Sequence, residues 1–262
     1  MFTFWKKKEK PVIKWWSTID GLEKVVPVVP AKEVIPDWWK RIERMIDGAV
    51  DDKGTVRNCP SMPEYMSQGF VVPLWCDLYV NIQHDKWEWK SPSKDFNFSS
   101  HADHQYRDWL PKHVKDNTSF VIKPNCPWRV KTPPGWSMWQ LPMHYDFNPM
   151  FEVQPGIIWS DIHHEINQQM LIKRYGEFKI KRGTPLAMYV PYERRKYDFT
   201  IDGPNAENAS WSNESFLHVR SKFKGGYKLH QAEVKKCPFP HAAKKTIDNT
   251  KKTKRKPRKK KV

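Results

Sequence analysis

The chain has 262 residues, which is enough for one large β-rich domain or two small ones. Twenty-two Pro and eleven Gly argue against a mainly helical protein, and a mean hydropathy of −0.79 without any long apolar run argues against a membrane-spanning one. The net charge of +17 is concentrated at the ends: residues 244–262 carry eleven Lys or Arg and one Asp, and residues 6–10 carry four Lys and one Glu. About +4 remains for residues 11–243, so the ends, rather than the body, are expected to meet polyanions.

The N-terminal part predicts an extended arm followed by a short helix. Residues 1–35 are aromatic, basic and interrupted by Pro, a composition typical of extended chain. Asp37 is a good N-cap, Trp38 and Ile42 recur at helical spacing, and Gly48 ends the pattern.

Short apolar runs separated by Pro and Gly predict a single β-rich domain over residues 36–243. A long strand begins at Gly69, is irregular at Pro73, and turns back near residues 81–85 into Lys86–Lys90, where Trp alternates with charge. Eight more strands are predicted near residues 119–123, 128–132, 136–141, 150–154, 157–160, 164–172, 177–181 and 186–191. This pattern predicts a mainly β (α+β) fold with a sandwich, jelly-roll or β-clip-like core.

The C-terminal part predicts a helix and then a disordered basic tail. Trp211, Phe216 and Phe223 have helical spacing within residues 204–224, whereas residues 244–262 have no apolar pattern. Such a tail binds nucleic acid through counterion release, or an acidic protein surface. The predicted contact residues are Lys251, Lys252, Lys254, Arg255, Lys256, Arg258, Lys259, Lys260 and Lys261.

The four cysteines (Cys59, Cys76, Cys126 and Cys237) form no Cys-x-x-Cys pair, and the first residues lack the apolar run of a signal peptide. We therefore expect free thiols in a cytoplasmic protein that is not secreted.

One set of polar residues matches an iron site. His101 and Asp103 form a His-x-Asp pair, His163 lies further along the chain, and ten residues separate His163 from Arg174. Two imidazoles and one carboxylate are the ligands of non-haem Fe(II), and this spacing resembles that of the 2-oxoglutarate oxygenases, in which a basic residue binds the co-substrate. The alternative interpretation, which we favour, is that these are polar loop residues and that the protein has no cofactor.

Two Trp pairs, Trp87 with Trp89 and Trp136 with Trp139, are candidate base-stacking platforms. Packing in the core or on a hydrophobic face is the favoured interpretation for both pairs, because aromatic side chains bury large apolar areas.

A Pro-Gly turn at Gly135, the run Gly-Ile-Ile-Trp-Ser from Gly156, and Gly-Thr-Pro-Leu-Ala from Gly183 are similar to the strand order of the dUTPase and dCTP-deaminase group. The resemblance implies a β-fold and not the activity. Trp159 occupies the position of the catalytic Asp, Asp161 comes two residues later, and the Arg-Ser-Gly phosphate motif is absent.

Five further motifs of turn and strand residues are Arg57-Asn-Cys-Pro, Gly69-Phe-Val-Val-Pro-Leu-Trp-Cys-Asp, Thr132-Pro-Pro-Gly-Trp-Ser, Gly156-Ile-Ile and Gly183-Thr-Pro-Leu-Ala. Through them residues 36–195 resemble a family of uncharacterised proteins of tailed, T4-like bacteriophages of marine bacteria. The resemblance implies a viral origin and a host-cytoplasm setting, and it supplies no function. Because the sequence shows no coherent active site, we expect a non-enzymatic binding or assembly protein, either a homo-oligomer or a virion component, with the Fe(II)/2-oxoglutarate oxygenase as the alternative.

Overall fold

The computed structural model describes residues 10–47, 54–83 and 86–215. Within them the chain is mainly β, as predicted, with fourteen strands in four antiparallel sheets. The strands are β1 (Lys14–Ser17), β2 (Val29–Pro30), β3 (Phe70–Pro73), β4 (Leu78–Gln83), β5 (Lys86–Lys90), β6 (Phe98–Ser100), β7 (Phe120–Pro124), β8 (Trp128–Lys131), β9 (Trp136–Pro142), β10 (Phe151–Val153), β11 (Gly156–Ile158), β12 (Met170–Ile172), β13 (Gly176–Ile180) and β14 (Pro185–Glu193). The α-helices of the described residues are α1 (Leu22–Val25), α2 (Asp37–Arg41), α3 (Ser61–Met66), α4 (Lys112–Lys115) and α5 (Ala206–Ser215).

The largest sheet has the order β11-β9-β14-β3-β2, with β14 at its centre. The other sheets are β10-β12-β7-β6, β13-β4-β5 and the pair β1-β8. Chain contacts divide the protein into two units, residues 1–198 and residues 199–262. All fourteen strands belong to the first unit, and α5 belongs to the second.

The main hydrophobic core lies on the inner face of the five-stranded sheet. Met138, Ala187 and Tyr189 point into it, because side chains alternate between the two faces of a strand. The Tyr189 hydroxyl is fully buried and donates to Gln140 Oε1 at 2.9 Å, and Gln140 donates in turn to the Gln154 carbonyl at 2.9 Å. This chain of hydrogen bonds satisfies the Tyr189 hydroxyl and the Gln140 side-chain amide inside the core.

The outer face of the same sheet is covered at one end only. Val71 and Met188 pack there under a second, smaller cluster that includes Ala31, Tyr65 and Met143. These covering residues come from the segment after β2, from α3 and from the loop after β9. The opposite end of this face carries the candidate site described below.

All eight central strands that the sequence predicts are present, although several are shorter than predicted. The largest difference is the predicted strand 164–172, of which only Met170–Ile172 forms β12. The predicted long strand from Gly69 is divided into β3 and β4, which belong to different sheets. The chain leaves the first sheet after Pro73, where Leu74 N–H donates to the Thr184 carbonyl at 2.8 Å.

The predicted N-terminal helix begins at Asp37 but ends at Arg41. Ile42 is extended, with ψ 123°, and Met45 forms a β-bridge with Gly54. The Trp39 carbonyl near the end of the helix accepts a hydrogen bond from Arg57 Nη1 at 2.7 Å. This bond serves a carbonyl that would otherwise need a donor from a further helical turn. Gly48 lies outside the described residues.

The N-terminal arm is attached to the β-rich unit through β1, which pairs with β8. Trp15 lies on this strand, and its ring contacts Phe70 and Tyr189 with ring centroids 5.8 Å away in both cases. The predicted C-terminal helix is present as α5, while Phe216 and the basic tail lie outside the described residues. Among the described residues, no helix has the length and apolarity needed to cross a bilayer.

Candidate nucleic-acid interface

The register of the five-stranded sheet arranges its outer side chains in rows. The first row contains Val71, Met188 and Leu141, and the smaller hydrophobic cluster covers it. In the second row Val190 is paired with Trp139, which is paired with Ile157. In the third row Tyr192 is paired with Ser137, and Trp159 follows directly after β11 on the same side as Ile157.

Within the second and third rows Ser137 is buried and Val190 packs against the smaller cluster, whereas Trp139, Ile157 and Trp159 are exposed and Tyr192 is half-buried. We call Trp139, Ile157, Trp159 and Tyr192 the aromatic face. The exposed fractions are 42% for Trp139, 46% for Ile157 and 57% for Trp159. The rings of Trp139 and Tyr192 support each other, with centroids 5.3 Å apart and planes at 36°. Large apolar side chains grouped on a rigid sheet and left uncovered are typical of an interaction surface.

Arg194, the first residue after β14, lies beneath and beside Trp159. Its Nη1 donates to Asp161 Oδ1 at 2.9 Å and to Ser137 Oγ at 2.7 Å, and its guanidinium carbon lies 4.7 Å from the Trp159 ring centre. Nη2 donates to Asp161 Oδ2 at 2.5 Å. A bidentate ion pair with a stacked ring fixes the plane of the guanidinium and therefore the position of Trp159.

Asp161 is almost fully enclosed in this arrangement, with 7% of its side chain exposed. Its Oδ2 also accepts the Gly135 N–H at 2.9 Å. The hydrogen bonds from Arg194, reinforced by that from Gly135, hold the pKa of Asp161 below its usual value, and Asp161 in turn raises the pKa of Arg194. The ion pair is therefore a permanent part of the site at neutral pH.

Further cations surround the aromatic face along the chain. Arg195 and Lys196 follow Arg194 and are exposed, as is Tyr197 next to them. Lys131 precedes Thr132, whose hydroxyl lies 2.8 Å from the Ser160 hydroxyl beside Trp159. Basic residues interleaved with exposed aromatic rings are typical of surfaces that bind nucleic acid.

The structure does not bring the predicted iron ligands together. His101 follows β6, and its ring centre lies 5.9 Å from that of Tyr106. Asp103 forms an ion pair with Arg107 at 2.8 Å. The backbone N–H of His163 donates to the Trp159 carbonyl. Arg174 is exposed, and its guanidinium lies 5.8 Å from the Phe178 ring centre. Among the described residues there is no group of three His, Cys, Asp or Glu side chains that could hold a metal ion.

The two Trp pairs have different environments. Trp87 and Trp89 pack against Phe98 with ring centroids 4.8 and 4.7 Å away, and both lie against the main core, which confirms the packing interpretation. Trp139 points away from the core, because its neighbours Met138 and Gln140 occupy the inner face, and its ring packs on Tyr192 on the outer face while 42% of it stays exposed.

Sequence reasoning did not select Tyr192, Arg194 or Ile157 for this site. Side chains alternate between the two faces along β14 and on to Arg194, the residue after it. This alternation predicts that Tyr192 and Arg194 lie on the face opposite to Tyr189. The sequence does not predict that they lie close to Trp159, because this proximity depends on the pairing of three strands that are distant in sequence.

No protein-family model matches this sequence, and no curated protein matches it with statistical significance.

Proposed function

We propose that this chain is a non-catalytic protein that binds single-stranded nucleic acid, with the aromatic face as the stacking platform. Trp139 and Trp159 are exposed on the outer side of the sheet, the half-buried Tyr192 packs beside Trp139, and this arrangement is the observation that carries the proposal. Bases of any sequence have a π-face, so a strand that lies across these rows stacks without base-specific hydrogen bonds.

The phosphates of such a strand meet two sets of cations. Arg195 and Lys196 lie at the exit of β14. The basic tail adds the nine Lys and Arg residues between Lys251 and Lys261, which contribute affinity through counterion release without sequence preference. The face supplies stacking and the tail supplies charge, so the two parts act on different portions of the ligand.

The geometry does not support the hydrolytic activity of the dUTPase group for this protein. The carboxylate nearest to the matching position, Asp161, is neutralised by Arg194 and has a lowered pKa. A general base needs a pKa near the working pH and access to the substrate, and Asp161 has neither. We propose instead a binding or assembly role for the protein in a tailed bacteriophage, in the host cytoplasm or as part of the virion.

The test is fluorescence anisotropy of a labelled thymidine 20-mer with the full-length protein. We expect Trp139→Ala and Tyr192→Ala each to weaken binding about ten-fold, because loss of one stacking contact costs about 1–3 kcal/mol. Trp109→Ala is the matched control, since Trp109 is 81% exposed and lies outside the face.

Equal losses for the Trp139 and Trp109 variants would contradict the proposal. If the wild type binds polyglutamate as tightly as the oligonucleotide, the ligand is instead an acidic protein surface recognised by charge alone.

A further inference from the structure

A second site candidate is a cavity of about 730 Å³ where β4 begins and β13 ends. One wall is formed by residues 19–25 and the other by residues 179–182. None of the residues of the aromatic face lines this cavity. Its volume lies in the range of sites that enclose a small organic molecule.

The floor of the cavity is apolar. Leu22 and Trp75 line it and are 7% and 8% exposed. The Trp75 indole N–H is already used, because it donates to the Asn125 carbonyl at 2.9 Å, and the ring is held against Phe96 with centroids 5.4 Å apart. The floor therefore exposes only a small part of a fixed aromatic ring and no indole donor, and Val25, which is 58% exposed, adds apolar surface beside it.

The cationic wall is held in place by Asp77. Its Oδ1 accepts the Arg182 N–H at 2.7 Å, and its Oδ2 accepts a hydrogen bond from Lys179 Nζ at 2.5 Å. The turn that follows β13 is closed by the Thr184 N–H donating to the Lys181 carbonyl at 3.1 Å, and Gly183 N–H donates to the Leu74 carbonyl at 2.8 Å. This turn is consequently anchored to two neighbouring segments.

Three charged side chains of the cavity have no hydrogen-bonded side-chain partner among the described residues, although the charge of Arg182 also acts on Asp77. Lys181 and Arg182 are exposed on the anchored turn, and Asp20 is exposed on the opposite wall. Asp77 and Lys179 neutralise each other, so two positive charges face one negative charge across the apolar floor. Charged groups without an internal partner that converge on one cavity are available to a ligand.

We propose that this cavity binds a guanine nucleoside monophosphate. Lys181 and Arg182 provide ammonium and guanidinium donors for the phosphate, and the apolar floor at Trp75 receives the planar base. Asp20 provides two acceptor oxygens and no donor, which matches the adjacent N1–H and N2 amino donors of guanine. Adenine presents an acceptor at N1 and repels the same carboxylate.

The proposal is independent of the proposed function, because its residues are different and its ligand is a single nucleotide. The test is isothermal titration calorimetry of the full-length protein with GMP, AMP, guanosine and inorganic phosphate. We expect GMP to bind at least ten-fold more tightly than AMP, guanosine or phosphate, since only GMP satisfies the floor, the carboxylate and the cations together.

Two variants assign the roles. Lys181→Ala combined with Arg182→Ala should weaken GMP at least ten-fold and leave guanosine unchanged, whereas Asp20→Asn should remove most of the preference for GMP over AMP. The matched control is Lys32→Ala combined with Lys86→Ala, which removes the same charge from exposed positions that do not line the cavity. Unfolding midpoints in urea equal to that of the wild type show that all of these variants are folded.

The absence of GMP binding by the wild type at millimolar concentration would overturn the proposal, whatever the oligonucleotide result. Equal GMP affinity in the cavity variant and the control variant would also overturn it. Loss of oligonucleotide binding in the Trp139 variant, with GMP binding unchanged, would confirm that the two sites are separate.

Discussion

At the scale of single residues, Arg194 connects the aromatic face to the rest of the sheet. It donates to Asp161, to the Ser137 hydroxyl and, at 3.2 Å, to the Trp136 carbonyl, and its guanidinium also stacks on Trp159. Its side chain is 25% exposed, so these bonds form in a partly dehydrated setting where charge-assisted hydrogen bonds are stronger than at the surface. One residue thus fixes the geometry of the stacking platform.

Arg194→Ala should therefore lower the urea midpoint, because the Asp161 side chain, which is 7% exposed, loses its partner. Arg195→Ala is the matched control, since Arg195 is exposed and pairs only with Glu193 among the ion pairs of the described residues. Urea unfolding followed by tryptophan fluorescence measures both variants. The same midpoint for the two would show that the buried ion pair contributes nothing to stability.

The same ion pair makes stability depend on pH. The pKa of Asp161 is lowered in the folded state, chiefly by Arg194, so the carboxylate contributes stability above its unfolded pKa of about 3.9, and this contribution is lost as the pH falls through the lower folded value. Asp161→Asn should flatten the decline of the urea midpoint between about pH 5 and pH 3. If the wild type and the variant decline in parallel, the ion pair is not the cause.

At the scale of elements, the close approach of β3 and β14 depends on Gly69. This glycine has φ +67°, and a Cβ added there would lie 2.0 Å from the Tyr189 carbonyl oxygen. A backbone atom cannot move away as a flexible side chain does. The entry of β3 into the sheet therefore requires glycine for two reasons, its conformation and its lack of a side chain.

Gly69→Ala should cost clearly more stability than Gly183→Ala. Gly183 has a similar φ of +84° but open space around its Cβ position, so its substitution carries only the left-handed conformational cost of about 1–2 kcal/mol. Differential scanning calorimetry of the two variants separates the steric effect from the conformational one. Similar melting temperatures for both would mean that β3 and β14 move apart at little cost.

Several elements were predictable because their signals are local. Pro and Gly separate the eight central strands, and alternation of Trp with charge identifies β5. β1 and β2 lie in the segment predicted as extended chain, whereas β6 is not predicted, because it is short and forms only by pairing with β7. The helix from Asp37 was predicted too long, since apolar residues at helical spacing do not show that the Arg57 side chain will satisfy the end of α2.

At the scale of the whole molecule, positive charge and aromatic surface have different origins. The charge follows from composition at the chain ends, and the aromatic face follows from the pairing of β11, β9 and β14. The proposed binding of nucleic acid by both parts predicts that their contributions to affinity can be separated by salt. Stacking is nearly independent of salt, whereas phosphate contacts are not.

Replacing the nine tail cations from Lys251 to Lys261 by Gln should reduce the slope of log K against log salt by up to about six, given about 0.7 per neutralised phosphate on a single strand. Trp139→Ala should lower affinity at every salt concentration and leave the slope unchanged. Anisotropy titrations across a salt series distinguish these results. An unchanged slope in the tail variant would exclude the tail from the interface.

By itself, the sequence determined the mainly β class, the positions of the central strands and the concentration of charge at the ends, because each follows from the order of neighbouring residues. The tertiary structure decided which aromatic side chains are buried and which form a surface. Trp87 and Trp139 both lie in predicted strands, yet one packs on Phe98 and the other is exposed beside Tyr192. The reason is that a strand has two faces. Which face is exposed to solvent depends on the pairing of distant strands and on how much of the sheet the neighbouring segments cover.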